Sequence, residues 1–212
     1  MYKNFKENYP LYEVRESKDL RDLIDAGAKL YGDKAAFKFK EHGEIVSVSY
    51  NEFKTDVDAY GTALFDMGLD GKHIGIIGDN SYNWIRSYLA VLCSSSVVVP
   101  IDKELTSDEI QYILNTGNCE VLIYSGGATE KKIMEITDNL PDITHFICMA
   151  EQTVKDEKHY YIDDVVAKGK ELLKNGDKRY LSIVPDNKVL KELLFTSGTT
   201  GKSKGVMLST ES

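Results

Sequence analysis

The sequence is poor in the features that mark membrane-spanning, disulfide-bonded or nucleic-acid-binding proteins. No stretch approaches the roughly 18 consecutive apolar residues that a transmembrane helix needs, and the start lacks the apolar segment of a signal peptide. The formal net charge of −8 provides no excess of basic residues for a nucleic-acid backbone. We therefore expect a cytoplasmic protein with no nucleic-acid partner, and we leave peripheral membrane contact open.

Cysteine is also scarce, with only 3 residues in a chain of 212. Cys93, Cys119 and Cys148 lie far apart and form no C-x-x-C pair, which predicts buried, reduced thiols rather than disulfides or metal ligands. The four histidines show no metal-ligand spacing. A content of 42% hydrophobic and 28% charged residues is typical of a globular domain.

The most informative segment lies near the carboxyl end, where glycine, hydroxyl and lysine side chains alternate. It reads Thr196-Ser197-Gly198-Thr199-Thr200-Gly201-Lys202-Ser203-Lys204-Gly205. Glycines let the backbone approach a ligand closely, and hydroxyls, N–H groups and lysines suit a polyanion such as a nucleotide triphosphate. The flanking runs Val189–Phe195 and Val206–Leu208 are predicted to be buried strands. Together these features predict a strand–loop–strand phosphate site.

Two other interpretations of this segment are weaker. The ending Gly201-Lys202-Ser203 matches a Walker A loop, but that motif needs glycine where Thr196 stands and a helix after the serine. The following Lys204–Leu208 is short, apolar and interrupted by glycine, so both requirements fail. A plain hairpin turn needs only about two to five residues, so it explains neither the length nor the composition of this loop.

Leu194–Leu208 resembles the AMP-binding signature of the adenylate-forming enzymes, which include acyl-CoA synthetases, firefly luciferase and peptide-synthetase adenylation domains. Two shorter elements precede it in the family's order. Ser49–Phe53 is similar to the early T/S-Y-x-E-L/F element, and Leu92–Asp102 is similar to the small residues followed by V-P-I/L-D/N. One departure is Ser203, where most members carry proline. Among members, the sequence looks most similar to bacterial long-chain fatty acid:CoA ligases.

The resemblance implies a two-step reaction in which ATP activates a carboxylic acid, here a fatty acid, to an acyl-adenylate that then forms a thioester with CoA. The implied cofactors are ATP, Mg²⁺ and coenzyme A, the last bound outside this chain, and Thr196 is the implied Mg²⁺ ligand. No residue of this chain is assigned a catalytic role, and Lys202 falls at a variable position. The implied nucleotide-binding residues are Thr196, Ser197, Gly198, Thr199, Thr200, Gly201 and Lys204.

The family also requires parts that these 212 residues lack, among them an adenosine-binding aspartate and a carboxyl-terminal domain with its adenylation lysine. We therefore expect an amino-terminal portion that is inactive by itself. Alternatives within the family are a peptide-synthetase adenylation domain and an acyl carrier protein ligase. Alternatives outside it are a standalone nucleotide-binding module and a regulatory fragment in which the loop has lost its role.

The predicted fold is α/β, with a doubly wound, mostly parallel sheet and flanking helices, as part of the large amino-terminal domain of an adenylate-forming enzyme. Four parts are expected: a helical and hairpin lead-in over 1–70, alternating strands and helices over 71–150, a connector over 151–187, and the strand and phosphate-binding loop over 188–208. The predicted helices cover 20–31, 49–67, 82–94, 107–116, 129–140 and 163–175, and the further strands cover 35–39, 45–49, 73–78, 97–101, 120–124 and 144–149.

Polar residues after the strand at 73–78 stand where ligands bind in open α/β sheets. A helix N-cap explains Asp79–Ser81 equally well, and we favour that interpretation. Trp84 shares an apolar stripe with Tyr88 and Val91, which predicts a core residue rather than a stacking platform.

Overall fold

A computed structural model describes residues 15–41, 43–151, 156–196 and 203–211 of the chain. None of the described helices has the length and apolar content needed to cross a membrane. The helices are α1 (Leu20–Tyr31), α2 (Tyr50–Asp66), α3 (Tyr82–Leu92), α4 (Ser107–Thr116), α5 (Ala128–Ile136) and α6 (Ile162–Lys174). The strands are β1 (Ala35–Glu41), β2 (Glu44–Ser49), β3 (His73–Ile77), β4 (Val97–Ile101), β5 (Val121–Tyr124), β6 (His145–Cys148), β7 (His159–Tyr161), β8 (Glu192–Thr196) and β9 (Lys204–Leu208).

Seven strands form the main sheet in the order β7-β6-β5-β3-β4-β8-β9, while β1 and β2 form the predicted hairpin beside it. Neighbouring strands from β7 to β8 are parallel, and β9 runs antiparallel to β8. Helices α2, α3 and α6 cover one face of the sheet, and α4 and α5 cover the other. The predicted doubly wound, mostly parallel sheet is therefore confirmed.

Side-chain caps begin several helices where the sequence predicts them. Ser49 and Glu52 form the capping box of α2, and Thr106 and Glu109 form that of α4. Ser81 caps α3 by accepting a hydrogen bond from a backbone N–H of its first turn. These bonds satisfy amide groups that have no partner within the helix, so they define each start.

The prediction that the two strands around the signature segment are buried is wrong. Val206 and Met207 of β9 are 42% and 73% exposed, and Leu194 of β8 is exposed as well. The apolar composition of Val206–Leu208 predicts burial, but β9 is the outer strand on its side of the sheet among the described residues. An outer strand has no neighbour on one side, so its side chains have fewer atoms to pack against.

Two further details differ from the sequence-based expectations. Strand β7 was not predicted, and it pairs with β6 within a polar stretch of the chain. Trp84 is only partly buried, because the buried side of α3 is formed by Arg86, Ser87 and Ala90–Leu92. Its ring packs at the margin of the core and not within it.

All three cysteines are free and buried, as the sequence predicts. Burial raises the pKa of Cys93 and of Cys119 to about 12, and it also raises the pKa of Cys148. The thiolate is the reactive form of cysteine. These side chains are therefore inert components of the core at neutral pH.

Two helical glycines allow α2 to pack closely against its neighbours. A Cβ on Gly169 of α6 would lie 1.8 Å from the carbonyl oxygen of Ala59 in α2. A Cβ on Gly61 of α2 would lie 2.0 Å from the ring of Tyr180. That tyrosine is fully buried, and its hydroxyl donates to the carbonyl of Ala90 at 2.9 Å, so the ring has little freedom to move.

We expect Gly169→Ala to lower the free energy of unfolding by about 1–3 kcal/mol, because the added methyl group forces two helix backbones apart. Urea denaturation measures this change. Gly27→Ala in α1 is the matched control, since a Cβ there lies 3.2 Å from the side chain of Tyr50 and replacing a helical glycine gains about 1 kcal/mol of helix propensity. Equal destabilisation by both substitutions would contradict the close contact between α2 and α6.

Candidate functional site

A cleft of about 550 Å³ lies at the carboxyl ends of the parallel strands β3, β4 and β8, which end side by side. The helices that follow β3 and β4 pack on opposite faces of the sheet. Crevices at such positions are the usual ligand sites of open α/β sheets. The lining comes from Gly78–Asn80 after β3, Pro100–Lys103 around the end of β4, Trp84 of α3, and Leu194 and Phe195 of β8.

The β8–β9 hairpin brings the two ends of the signature loop together beside this cleft. Its register pairs Leu194 with Val206 and Thr196 with Lys204. Directly paired residues of antiparallel strands share a face, and so do alternate residues along one strand. Thr196 and Lys204 therefore lie on the same face as Leu194, which lines the cleft, and both are exposed.

The other predicted phosphate-binding residues lie outside the described part of the chain, so their role stays a prediction. They are Ser197, Gly198, Thr199, Thr200 and Gly201, and Lys202 lies there as well.

Thr196 is the residue to which the family resemblance assigns Mg²⁺. Its hydroxyl is a hard oxygen donor, exposed at the end of β8. Mg²⁺ usually keeps several waters and takes only one or two protein ligands alongside substrate phosphates. Within residues 15–41, 43–151, 156–196 and 203–211, no three His, Cys, Asp or Glu side chains are grouped to hold a metal. The donor set thus fits an ion that arrives with a nucleotide.

An ion pair joins the ends of β3 and β4 across the cleft. The ammonium of Lys103 lies 2.5 Å from the carboxylate of Asp79, and this hydrogen bond raises the pKa of Lys103. Lys132 of α5 donates to the carbonyls of Lys103 and Leu105, both at 2.8 Å, and so fixes the backbone of this loop. Lys103 is not among the residues predicted from the sequence, since its only signal there is its place shortly after β4.

A pair of stacked aromatic rings connects the cleft wall to the hairpin. Trp84 and Tyr88 of α3 stack with their centroids 5.0 Å apart, and the Tyr88 hydroxyl donates to the Glu192 carboxylate at 3.0 Å. Burial, together with the Glu192 charge, raises the pKa of Tyr88 to about 12. The hydroxyl therefore remains a donor at neutral pH and links α3 to the first residue of β8.

The family model described as AMP-binding enzyme matches residues 24–212, so the chain belongs to this family. Fatty acyl-CoA synthetase B of Dictyostelium discoideum is 27% identical over 209 residues, which cover 90% of this chain and 30% of that protein. Tyrocidine synthase 1 of Brevibacillus parabrevis is 26% identical over 203 residues, which cover 95% of this chain and 16% of that protein. The chain thus spans less than a third of the length of these relatives.

A solved structure shares the fold. The anthranilate CoA ligase AuaEII, crystallised in complex with anthranoyl-AMP, superposes with a TM-score of 0.77 at 20% identity. The match covers 93% of this chain and 36% of that chain. The likeness confirms the α/β fold predicted from the sequence, and the family match confirms the resemblance to AMP-binding enzymes.

We expect Asp79→Asn to lower the pKa of Lys103 toward its ordinary value, because the substitution removes the carboxylate that stabilises the charged ammonium. A pH titration of the lysine side-chain NMR signals measures this pKa. Glu104→Gln is the control, since that carboxylate lies farther from the same ammonium, at 3.6 Å, and has a smaller effect. If both substitutions lower the pKa equally, Asp79 is not the dominant partner.

Proposed function

We propose that this chain supplies the ATP-phosphate-binding part of an AMP-forming acid–thiol ligase. The whole protein would use ATP to convert a carboxylic acid, in the first instance a fatty acid, to an acyl-adenylate and then to a CoA thioester. The observation that carries this proposal is the placement of Thr196 and Lys204, which face each other across the hairpin beside the cleft. The relative named fatty acyl-CoA synthetase B supports the choice of substrate.

In this proposal, Lys204 stabilises the negative charge that develops on the departing pyrophosphate. Strand pairing fixes the backbone on both sides of the loop, so the Lys204 side chain extends from a fixed position beside the cleft before the reaction begins. Backbone N–H groups of Ser197–Gly201 would add further donors to the phosphate oxygens. Mg²⁺, held in part by the Thr196 hydroxyl, would neutralise additional phosphate charge.

The cleft beside the loop suits a substrate with both an apolar and an anionic part. Trp84, Leu194 and Phe195 provide apolar surface, while the ion pair of Asp79 and Lys103 provides polar groups. We propose a carboxylic acid as the small-molecule partner at this cleft and CoA as a second partner that binds outside this chain. We also propose a cytoplasmic location, where both would be available.

A second candidate is the adenylation of an acid whose acceptor is a carrier protein. The match to tyrocidine synthase 1 supports this second candidate, since its identity and its coverage of this chain are close to those of fatty acyl-CoA synthetase B. Both candidates need more sequence than these 212 residues, because the matched relatives are several times longer. Assaying thioester formation with CoA and with a carrier protein in the full-length protein separates the two.

We expect Lys204→Ala in the full-length protein to slow carboxylate-dependent ATP–pyrophosphate exchange by about 10²–10³-fold, the usual cost of removing one transition-state donor. Lys202→Ala is the matched control within the same loop. It should change the rate by less than about threefold, because Lys202 falls at a variable position of the signature and is assigned no phosphate contact.

Two results would contradict the assignment of this lysine. Unchanged exchange in Lys204→Ala would remove its phosphate role. Equal losses in both variants would assign the effect to the charge of the loop as a whole.

A further inference from the structure

Helix α4 contacts the signature hairpin at the point where the loop enters β9. The phenolic hydroxyl of Tyr112 lies 3.4 Å from the carbonyl oxygen of Ser203, the residue directly before Lys204. We propose that Tyr112 is a positioning residue: its hydroxyl donates to this carbonyl and orients the peptide that leads into Lys204. The inference rests on the proposed function, since it concerns how Lys204 is presented to the phosphates.

A second contact ties the same helix to the other strand of the hairpin. Tyr112 and Phe195 both pack against the core cluster on the α4 side of the sheet. A Cβ on Gly117, at the end of α4, would lie 3.6 Å from the Phe195 ring. Helix α4 therefore contacts Phe195, the residue before Thr196, and Ser203, the residue before Lys204. Both described ends of the loop are in contact with the same helix.

The residue type at position 203 does not by itself restrain the backbone. A proline ring would fix φ near −65°, whereas serine leaves that torsion free. A restraint on this peptide therefore has to come from outside it. A hydrogen bond from Tyr112 to the Ser203 carbonyl provides such a restraint.

The expected size of the effect follows from the geometry. Hydrogen bonds between a hydroxyl and an oxygen are usually 2.5–3.0 Å long. At 3.4 Å the contact is a weak restraint, so its loss should be felt at the site and not in folding. A hydrogen bond of ordinary length is worth about twofold to tenfold in an equilibrium constant, so this longer one should be worth about twofold to threefold.

The test is Tyr112→Phe in the full-length protein, which keeps the packed ring and removes the hydroxyl. We expect kcat/KM for ATP in pyrophosphate exchange to fall about twofold to threefold, with part of the loss in kcat and the urea midpoint unchanged. Tyr160→Phe is the matched control, because that hydroxyl also donates to a backbone carbonyl, at 3.0 Å on Glu157, but near the opposite edge of the sheet. It should leave kcat/KM unchanged.

Two double variants separate positioning from a general loss of structure. In a Ser203→Pro background the proline supplies the restraint, so adding Tyr112→Phe should lower kcat/KM less than it does in the native sequence. In a Lys204→Ala background the positioned group is gone, so adding Tyr112→Phe should lower kcat/KM no further. Independent, multiplicative effects in both backgrounds would overturn the proposal.

Hydrogen–deuterium exchange gives a readout that does not depend on catalysis. Peptides covering 203–208 should exchange faster in Tyr112→Phe than in the native protein, and Tyr160→Phe should leave them unchanged. Suppose that Tyr112→Phe changes hydrogen exchange, but that neither the variants nor the native protein catalyse pyrophosphate exchange. The proposed function then fails while the positioning contact stands. If neither hydrogen exchange nor kcat/KM changes, the role of Tyr112 is wrong.

Discussion

The parallel pairing of β8 with β4 is the contact on which the candidate site depends, because it attaches the signature hairpin to the rest of the sheet. The backbone N–H of Val98 donates to the carbonyl of Lys191 at 2.9 Å. The Lys191 side chain is 2% exposed, and its ammonium donates to the carbonyl of Ser94 in the turn before β4. Burial lowers the pKa of this lysine. A buried ammonium is tolerated only where hydrogen bonds replace its hydration, so this contact fixes the base of the hairpin closely.

The same contact gives a physical reason for the small residues before β4. Ser94 and Ser96 are buried, and the Ser94 hydroxyl accepts a hydrogen bond from the Ser96 amide at 3.0 Å. The Ser96 hydroxyl donates to the carbonyl of Leu69 at 3.2 Å. Larger side chains would not fit this compact turn, which presents the Ser94 carbonyl to Lys191. The second family-like element therefore acts mainly through structure, since it places β4 and β8 so that their ends share one cleft.

Helix starts, which depend on nearby residues, could be predicted from the sequence. Individual strands and ion pairs that depend on pairing across the sheet could not. The capping boxes at Ser49 and Thr106 depend on residues three positions apart, so both helix starts were predicted correctly. Strand β7 exists because it pairs with β6, and its polar composition gives no sign of this. The pair between Asp79 and Lys103 depends on the register of β3 and β4. The signature loop could be recognised because its glycines, hydroxyls and lysines are the groups expected to bind phosphate. The residues around the loop are brought there by the fold and cannot be recognised in this way.

A protein with a net charge of −8 repels a polyphosphate at long range, so attraction must come from groups at the site itself. The fold meets this need by restraining the hairpin from three directions. Lys191 fixes its base, Tyr88 of α3 holds its first residue through Glu192, and Tyr112 of α4 reaches the peptide before Lys204. These contacts fix the backbone from which Lys204 extends, and donors whose positions are set in advance stabilise charge better than mobile ones. The rigid strands, and not the loop alone, would then determine how strongly this site binds ATP.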